Sequence, residues 1–299
     1  MQSYSVTSRL LEVAADELAR LDALAGIAPA GAALALRIDA ISRLGAEPHS
    51  EATSGARRSL ACAIADTMHA EALAEPLARW LAIVDDEERR ARSGAPLTAG
   101  RLRALLPAGA EPGGAGLDDA LRPGGQPRSV LLRAVAASAA LGSGPLADLV
   151  PALLLCAAGH SDRIRLLPFA EIDATERAES LAAWADGDEE PFAQLALSDC
   201  ARAARARRLE LSDLLTGLAD EDQRLDALGR AAITARRALA ELRNAYAITM
   251  PALAESLGCS RPAAGDALDR LTELGVAVEI TGRGRDRVYC WEAARRLLP

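Results

Sequence analysis

The chain has 299 residues, of which 50% are hydrophobic, 25% charged and only 3% aromatic. This composition excludes a disordered protein, a collagen-like fibre and a disulfide-stapled scaffold, and the length allows about two domains. All 34 basic residues are arginine, which excludes mechanisms that need a lysine amine, such as a Walker A phosphate loop, a kinase β3 lysine or a pyridoxal Schiff base.

Apolar residues recur at three- and four-residue spacing along most of the chain, which predicts a mostly α fold. The predicted helices cover residues 6–24, 32–44, 56–83, 129–141, 146–158, 174–185 and a long stretch from 191 past 208. Residues 107–127 contain four prolines and six glycines, which predicts a long loop or hinge. We therefore expect a helical region at 1–106, a Gly/Pro-rich loop at 107–127, a helical core at 128–230 and a C-terminal module at 231–299.

The C-terminal module begins with three predicted helices. The first covers residues 234–246. Thr249, with Pro251, opens the second, and Gly258 supplies a left-handed turn after it. Ser260 then caps the third helix, whose leucines face inward.

The periodicity changes after these helices. Residues 276–280 and 287–291 are rich in β-branched and aromatic side chains and flank Gly282-Arg283-Gly284, which predicts a two-stranded hairpin. Three helices followed by a hairpin is the order of a winged helix-turn-helix. In that fold the third helix enters the DNA major groove and the hairpin, or wing, lies over the backbone.

This arrangement predicts contacts to double-stranded DNA. Ser260 and Arg261 would reach phosphates or bases at the start of the third helix, with Arg270 further along it, and the wing arginines Arg283, Arg285 and Arg287 would meet the phosphate backbone. Asp266 and Asp269 on the predicted outer face would oppose DNA. A winged helix that only packs against a partner or against its own body is the alternative.

The charge distribution favours a C-terminal location for a DNA contact. The net charge is −8 overall, but residues 231–299 carry ten arginines and eight acidic residues, or +2, whereas residues 1–230 carry 24 and 34, or −10. A protein that binds phosphates gathers positive charge locally. The acidic remainder would limit indiscriminate coating of DNA.

The cysteines are typical of a protein in a reducing compartment, and the hydropathy is that of a protein outside the membrane. The five cysteines, at 62, 156, 200, 259 and 290, show no zinc-ligand spacing, so we expect free thiols and no metal or other cofactor. The stretch at 1–9 is polar, and no segment approaches 18 charge-free apolar residues. We expect no membrane association and a cytoplasmic location.

Further motifs resemble bacterial Fic proteins. The run from Leu257-Gly-Cys-Ser-Arg-Pro262 to Thr281-Gly-Arg-Gly-Arg-Asp-Arg-Val-Tyr289 is similar to the winged helix that follows the catalytic domain in many of them. Leu181-Ala-Ala-Trp184 with 191–197 resembles the segment after the family's active site, and 40–45 resembles its inhibitory-helix region. The layout is similar to that of rhizobial Fic-like proteins of unknown function. The resemblance implies a Fic-like helical bundle ahead of the winged helix.

The family's catalytic loop, H-P-F-x-x-G-N-G-R-x-x-R, is not conserved in this sequence. Alignment on the helix at 149–155 implies a degenerate loop. Ala137 takes the position of the histidine, Pro145 that of the first arginine and Asp148 that of the second. The G-N-G run aligns with Gly142, Ser143 and Gly144. Without an imidazole the loop lacks the general base, and the aspartate would repel a triphosphate. The resemblance therefore implies a protein without transferase activity.

Three functions remain open at this point. The sequence favours a non-catalytic, homodimeric DNA-binding regulator, because one helix and one wing bury little surface for tight specific binding alone. The alternative is a protein-interaction or antitoxin-like module whose winged helix is structural and whose helical body binds a protein partner. An AMP transferase with an atypical site near residues 142–144 is the third.

Overall fold

The computed structural model describes most of the chain in two compact units. It covers residues 3–44, 56–62, 75–95, 97–98, 100–101, 117, 121, 127–142, 145–159, 164–229 and 232–297. Unit 1 comprises residues 1–23, 43–45 and 79–208, and unit 2 comprises 24–42, 46–78 and 209–299. The predicted loop at 107–127 lies almost entirely outside the described residues, as do Ser143, Gly144 and all three histidines.

The mostly α prediction is confirmed. The helices are α1 (Ser3–Ile27), α2 (Ala30–Arg43), α3 (Glu75–Arg92), α4 (Pro127–Leu141), α5 (Pro145–Ala157), α6 (Ala174–Ala185), α7 (Glu190–Asp226), α8 (Ala232–Ala245), α9 (Met250–Leu257), α10 (Arg261–Glu273) and α11 (Glu292–Arg295). Residues 56–62 are also helical. No helix among the described residues is long and apolar enough to cross a bilayer.

Unit 1 is organised by apolar helix faces and buried ion pairs. Helices α4 and α5 pack against each other, and α5 is buried along nearly its whole length, as its continuous apolar sequence predicts. Asp173 caps α6 by accepting hydrogen bonds from the backbone amides of Thr175 and Glu176. The first half of α7 belongs to this unit and buries Phe192, whose ring packs edge-on against Trp184.

The acidic run at 85–88 of α3 is partly buried and is not a fully solvated helix face. Glu87 and Glu88 are 3% and 2% exposed. Glu87 accepts a 2.6 Å hydrogen bond from Arg101 Nε, and Glu88 accepts one of 2.7 Å from the backbone amide of Ile164. These partners lie 14 and 76 residues away in the chain, so local spacing could not reveal them. A buried carboxylate that is hydrogen-bonded in this way is structural.

Unit 2 contains the predicted C-terminal helices and a small sheet. The strands are β1 (Ala247–Thr249), β2 (Ala277–Glu279) and β3 (Val288–Trp291), all antiparallel in the order β1-β3-β2. The hairpin β2-β3 is confirmed, and β1 is an additional strand that the sequence did not indicate. The order along the chain is helix, strand, helix, helix, strand, strand, helix, with β3 at the centre of the sheet.

The second half of α7 is joined to this arrangement by buried polar contacts. Glu221, 4% exposed, accepts hydrogen bonds from Trp291 Nε1 at 3.1 Å and from Arg243 Nη2 at 2.9 Å. Gly31 of α2 lies so close to α8 that an added Cβ would meet the carbonyl oxygen of Arg243 at 2.7 Å. Unit 2 therefore contains more of the chain than residues 231–299, because α2 and the end of α7 pack on those residues.

Candidate nucleic-acid interface

Three capping residues fix both ends of α9 and the start of α10. Thr249 Oγ1 accepts a hydrogen bond from the backbone amide of Ala252 at 3.3 Å and starts α9. Gly258 ends that helix in the left-handed conformation, at φ 63°, which favours glycine. Ser260 Oγ then accepts a bond from the backbone amide of Ala263 at 3.4 Å and starts α10. The predicted capping positions at Thr249, Gly258 and Ser260 are confirmed.

Helix α10 is held by its apolar side. Ala264, Ala267, Leu268 and Leu271 are fully buried, and the helix packs against α8 and α9. Gly265 permits the close approach of α9, since a Cβ there would lie 3.2 Å from the Sδ atom of Met250. This packing determines which side of α10 faces solvent.

The exposed side of α10 carries mixed charge. Ser260 and Arg261 are exposed at its N-terminus, and Arg270 is half-buried near its C-terminus. Asp266, Asp269 and Glu273, the last not noted in the sequence analysis, are also exposed, and their spacing places them on one stripe. The predicted basic N-terminus is present, and beyond it the outer face is acidic.

The loop between β2 and β3, which we call the wing (residues 282–287), is exposed throughout. Arg283, Arg285 and Arg287 lie in this six-residue loop with Asp286 as its only acid, so it carries a net charge of +2. Gly282 and Asp286 adopt positive φ angles of 65° and 53°, which lets the chain reverse direction in a short loop.

The base of the wing is organised by Glu279, which the sequence analysis did not identify. Its carboxylate accepts hydrogen bonds from the backbone amides of Thr281 at 2.6 Å and Gly282 at 3.0 Å, and from the Thr281 hydroxyl. The amide of Ile280 bonds the carbonyl of Val288 at 3.0 Å and extends the hairpin. These bonds fix where the wing leaves the sheet.

The wing and α10 are electrostatically connected. A hydrogen bond with Tyr289 raises the pKa of the Arg287 guanidinium, and the carboxylates of Glu279 and Asp269 act in the same direction. Arg287 Nε also donates a 2.9 Å hydrogen bond to the carbonyl of Arg283. Arg287 is thus held partly by its own loop, whereas Arg285 and Arg261 have no hydrogen bond or ion pair within the described part of the chain.

Four of the positions that the resemblance aligns with the Fic catalytic loop are among the described residues, and they lie in α4, directly after it and in α5 of unit 1. Ala137 is fully buried inside α4, Gly142 follows the helix with φ 72°, and Pro145 is the first residue of α5. Asp148 forms a 2.8 Å ion pair with Arg177 of α6. Burial raises the pKa of the Asp148 carboxyl, and Arg177 opposes this effect.

The Arg177 contact changes the interpretation of Asp148. Arg177 Nη2 also contacts the Ser138 hydroxyl at 3.3 Å, so the guanidinium joins α4, α5 and α6. The aspartate compensates an internal arginine rather than presenting an unpaired charge to a ligand. Among the described residues, no group of three potential ligands could hold a metal ion.

A second basic cluster, on the first half of α7, consists of Arg202, Arg205, Arg207 and Arg208 and is largely neutralised. Arg202 pairs with Glu171 at 2.9 Å and with Asp199, and Arg208 pairs with Glu17 at 2.9 Å. This cluster is therefore a salt-bridged helix face and not an extension of a phosphate-binding surface. In unit 2, by contrast, Arg261 at the start of α10 and Arg285 on the wing are exposed and have no hydrogen bond or ion pair among the described residues.

Comparison with known protein families gives no match for this chain, and comparison with curated proteins gives no match either.

Proposed function

We propose that the C-terminal part of unit 2 is a winged helix-turn-helix that binds double-stranded DNA, and that the protein is a non-catalytic transcriptional regulator. The observation that carries this proposal is the arrangement α8-β1-α9-α10-β2-β3, in which a tightly capped turn presents α10 and a three-arginine loop leaves the central hairpin. In such an arrangement α10 enters the major groove and the wing meets the backbone.

The contact chemistry supports the same assignment. Ser260 and Arg261 lie at the N-terminal end of α10, where the helix dipole and free amides favour phosphate oxygens. The wing adds guanidinium groups, which bind phosphates in a bidentate manner. Contacts to base edges would come from the middle of α10, where the carboxylates of Asp266 and Asp269 can accept a hydrogen bond from the amino group of cytosine.

We assign no catalytic role to unit 1 in this proposal. Position 137 offers a buried methyl group where the Fic resemblance implies a histidine, and Asp148 is committed to Arg177. The degenerate Fic-like body would then serve the regulator as a scaffold and, by pairing with a second copy, would place two DNA-reading modules on one operator.

Fluorescence anisotropy with a labelled duplex of genomic sequence flanking the gene tests DNA binding. We expect affinity to fall steeply between 50 and 200 mM salt (about 10²-fold if four arginines contact phosphates) because counterions are released. Arg261→Ala should weaken binding about tenfold, while Arg9→Ala, on an exposed position of unit 1, should leave it unchanged. Salt-independent affinity, or equal effects of the two variants, would contradict the proposal.

The acidic stripe of α10 favours a second candidate, in which this face binds a basic protein partner. The double variant Asp266→Asn/Asp269→Asn separates the two functions. If α10 lies in the groove, removing two negative charges should strengthen binding to random-sequence DNA about tenfold. The charge-matched control Asp186→Asn/Asp188→Asn, on an exposed loop of unit 1, should have little effect. Unchanged DNA affinity in the α10 variant would favour the protein-partner function.

A further inference from the structure

A cleft of about 300 Å³ lies within unit 2, along one face of the second half of α7. The α7 wall consists of Glu210, Asp213, Leu214, Gly217, Glu221 and Arg224, at the three- and four-residue spacing of a single helix face. The opposite wall is formed at the C-terminal end by Ala293, Arg296 and Leu297. A cleft of this volume is at the lower end of the range for small-molecule sites.

Gly217 accounts for part of the open space. It lies inside the 37-residue helix α7, where glycine is destabilising relative to alanine. A Cβ added at this position would meet nothing within 4 Å, so no close backbone packing requires a glycine there. The missing side chain leaves the middle of the cleft open.

The charged groups of the cleft are separated along its length. Asp213 is exposed and, within the described residues, has no hydrogen bond or ion pair. Arg224 lies eleven residues further along α7, about 16 Å along the helix axis. Glu221 lies between them, but both its oxygens are engaged by Trp291 Nε1 and one also by Arg243. Arg296, on the opposite wall, is paired with Glu292 at 3.1 Å. The cleft thus has carboxylates near one end and the Arg224 guanidinium near the other.

We infer that this cleft binds a short peptide with a free amino and a free carboxyl terminus. The ammonium group would pair with Asp213 and the carboxylate with Arg224, whose guanidinium is suited to a bidentate contact. An extended tripeptide spans up to about 11 Å, and the lengths of the Asp213 and Arg224 side chains make up the rest of the distance between their backbone positions. A free amino acid has its charges too close together to reach both ends.

The cleft is directly bonded to the proposed DNA-binding elements. Arg224 Nη1 donates a 3.0 Å hydrogen bond to the carbonyl of Leu274, the C-cap residue of α10. Glu221 holds the side chain of Trp291, the last residue of β3. A peptide carboxylate that binds Arg224 competes with the hydrogen bond from Arg224 to Leu274. It therefore alters a contact that holds the C-terminal end of α10. Peptide binding stands independently, and its regulatory effect on DNA binding rests on the proposed function.

Calorimetric titration of the full-length protein with trialanine and Ala-Leu-Ala tests the site. We expect saturable binding, weakened about tenfold by either N-acetylation or C-amidation of the peptide, since each removes one charge-assisted contact. Asp213→Asn and Arg224→Gln should each weaken binding about tenfold. Gly217→Leu should fill the cleft and abolish binding, and Asp220→Asn, an exposed aspartate of the same helix outside the cleft, should not change it.

The outcomes are distinguishable. The peptide site is refuted if neither peptide binds, or if binding survives Gly217→Leu in a variant whose circular dichroism shows native helix content. Loss of peptide binding in Gly217→Leu together with retention in Asp220→Asn supports it. If peptides bind but the protein has no affinity for DNA, the site stands and the proposed function fails. If the protein binds DNA but neither peptide, the proposed function stands and the peptide site fails.

Discussion

Replacing Glu221 with alanine should destabilise unit 2 by about 3 kcal/mol, a large fraction of the stability of a typical domain. The carboxylate is 5% exposed and pairs with Arg243, whose side chain is 18% exposed. The guanidinium also lies 6.0 Å from the centre of the Trp291 ring. Removal of the acid would leave Arg243 partly buried beside the indole with less compensation, and it would leave the indole N–H without an acceptor.

Asp222 provides a matched control for this prediction. It pairs with the other end of the same guanidinium, at 3.0 Å from Nη1, but its side chain is 51% exposed. Asp222→Ala should therefore cost less than about 1 kcal/mol, and Glu221→Gln, which keeps an acceptor for the indole, should lie between the two variants. Urea unfolding followed by circular dichroism gives the three values. Equal losses for Glu221→Ala and Asp222→Ala would show that burial does not determine the effect.

Local sequence signals were sufficient to predict the helix ends on both sides of the turn before α10. Thr249, Gly258 and Ser260 have side chains or backbone preferences that act within three residues, and each caps the helix end expected of it. The hairpin was also predictable, because β-branched and aromatic residues flank a short Gly-Arg-Gly loop. Capping and turn formation depend on neighbours in the chain, so they leave a readable pattern.

Features that depend on distant partners were not predictable. Strand β1 has only three residues and forms because its backbone pairs with β3, about 40 residues later. Glu279, by contrast, bonds backbone amides only two and three residues later, so its position at the base of the wing is a local feature that the sequence analysis missed. The cleft lies between one face of α7 and residues 293–297, and no local pattern indicates that these two segments face each other. Such contacts follow from tertiary packing, which local periodicity does not encode.

Neutralising the wing should have the largest effect on the proposed DNA binding. The triple variant Arg283→Ala/Arg285→Ala/Arg287→Ala should weaken binding about 100-fold at low salt, with similar losses on all sequences, because phosphate contacts carry no sequence information. The slope of log K against log salt should fall by about one unit for each arginine removed. The wing is exposed and its base is fixed by Glu279, so the fold should be retained.

Lysine at the same three positions is the control for charge. It keeps the positive charge and loses the planar, bidentate guanidinium, so the triple lysine variant should recover most of the salt dependence and part of the affinity. Anisotropy titrations at several salt concentrations measure both quantities. If the alanine and lysine variants bind DNA as tightly as the unmodified protein, the wing does not meet the backbone, and other residues must make the DNA contact.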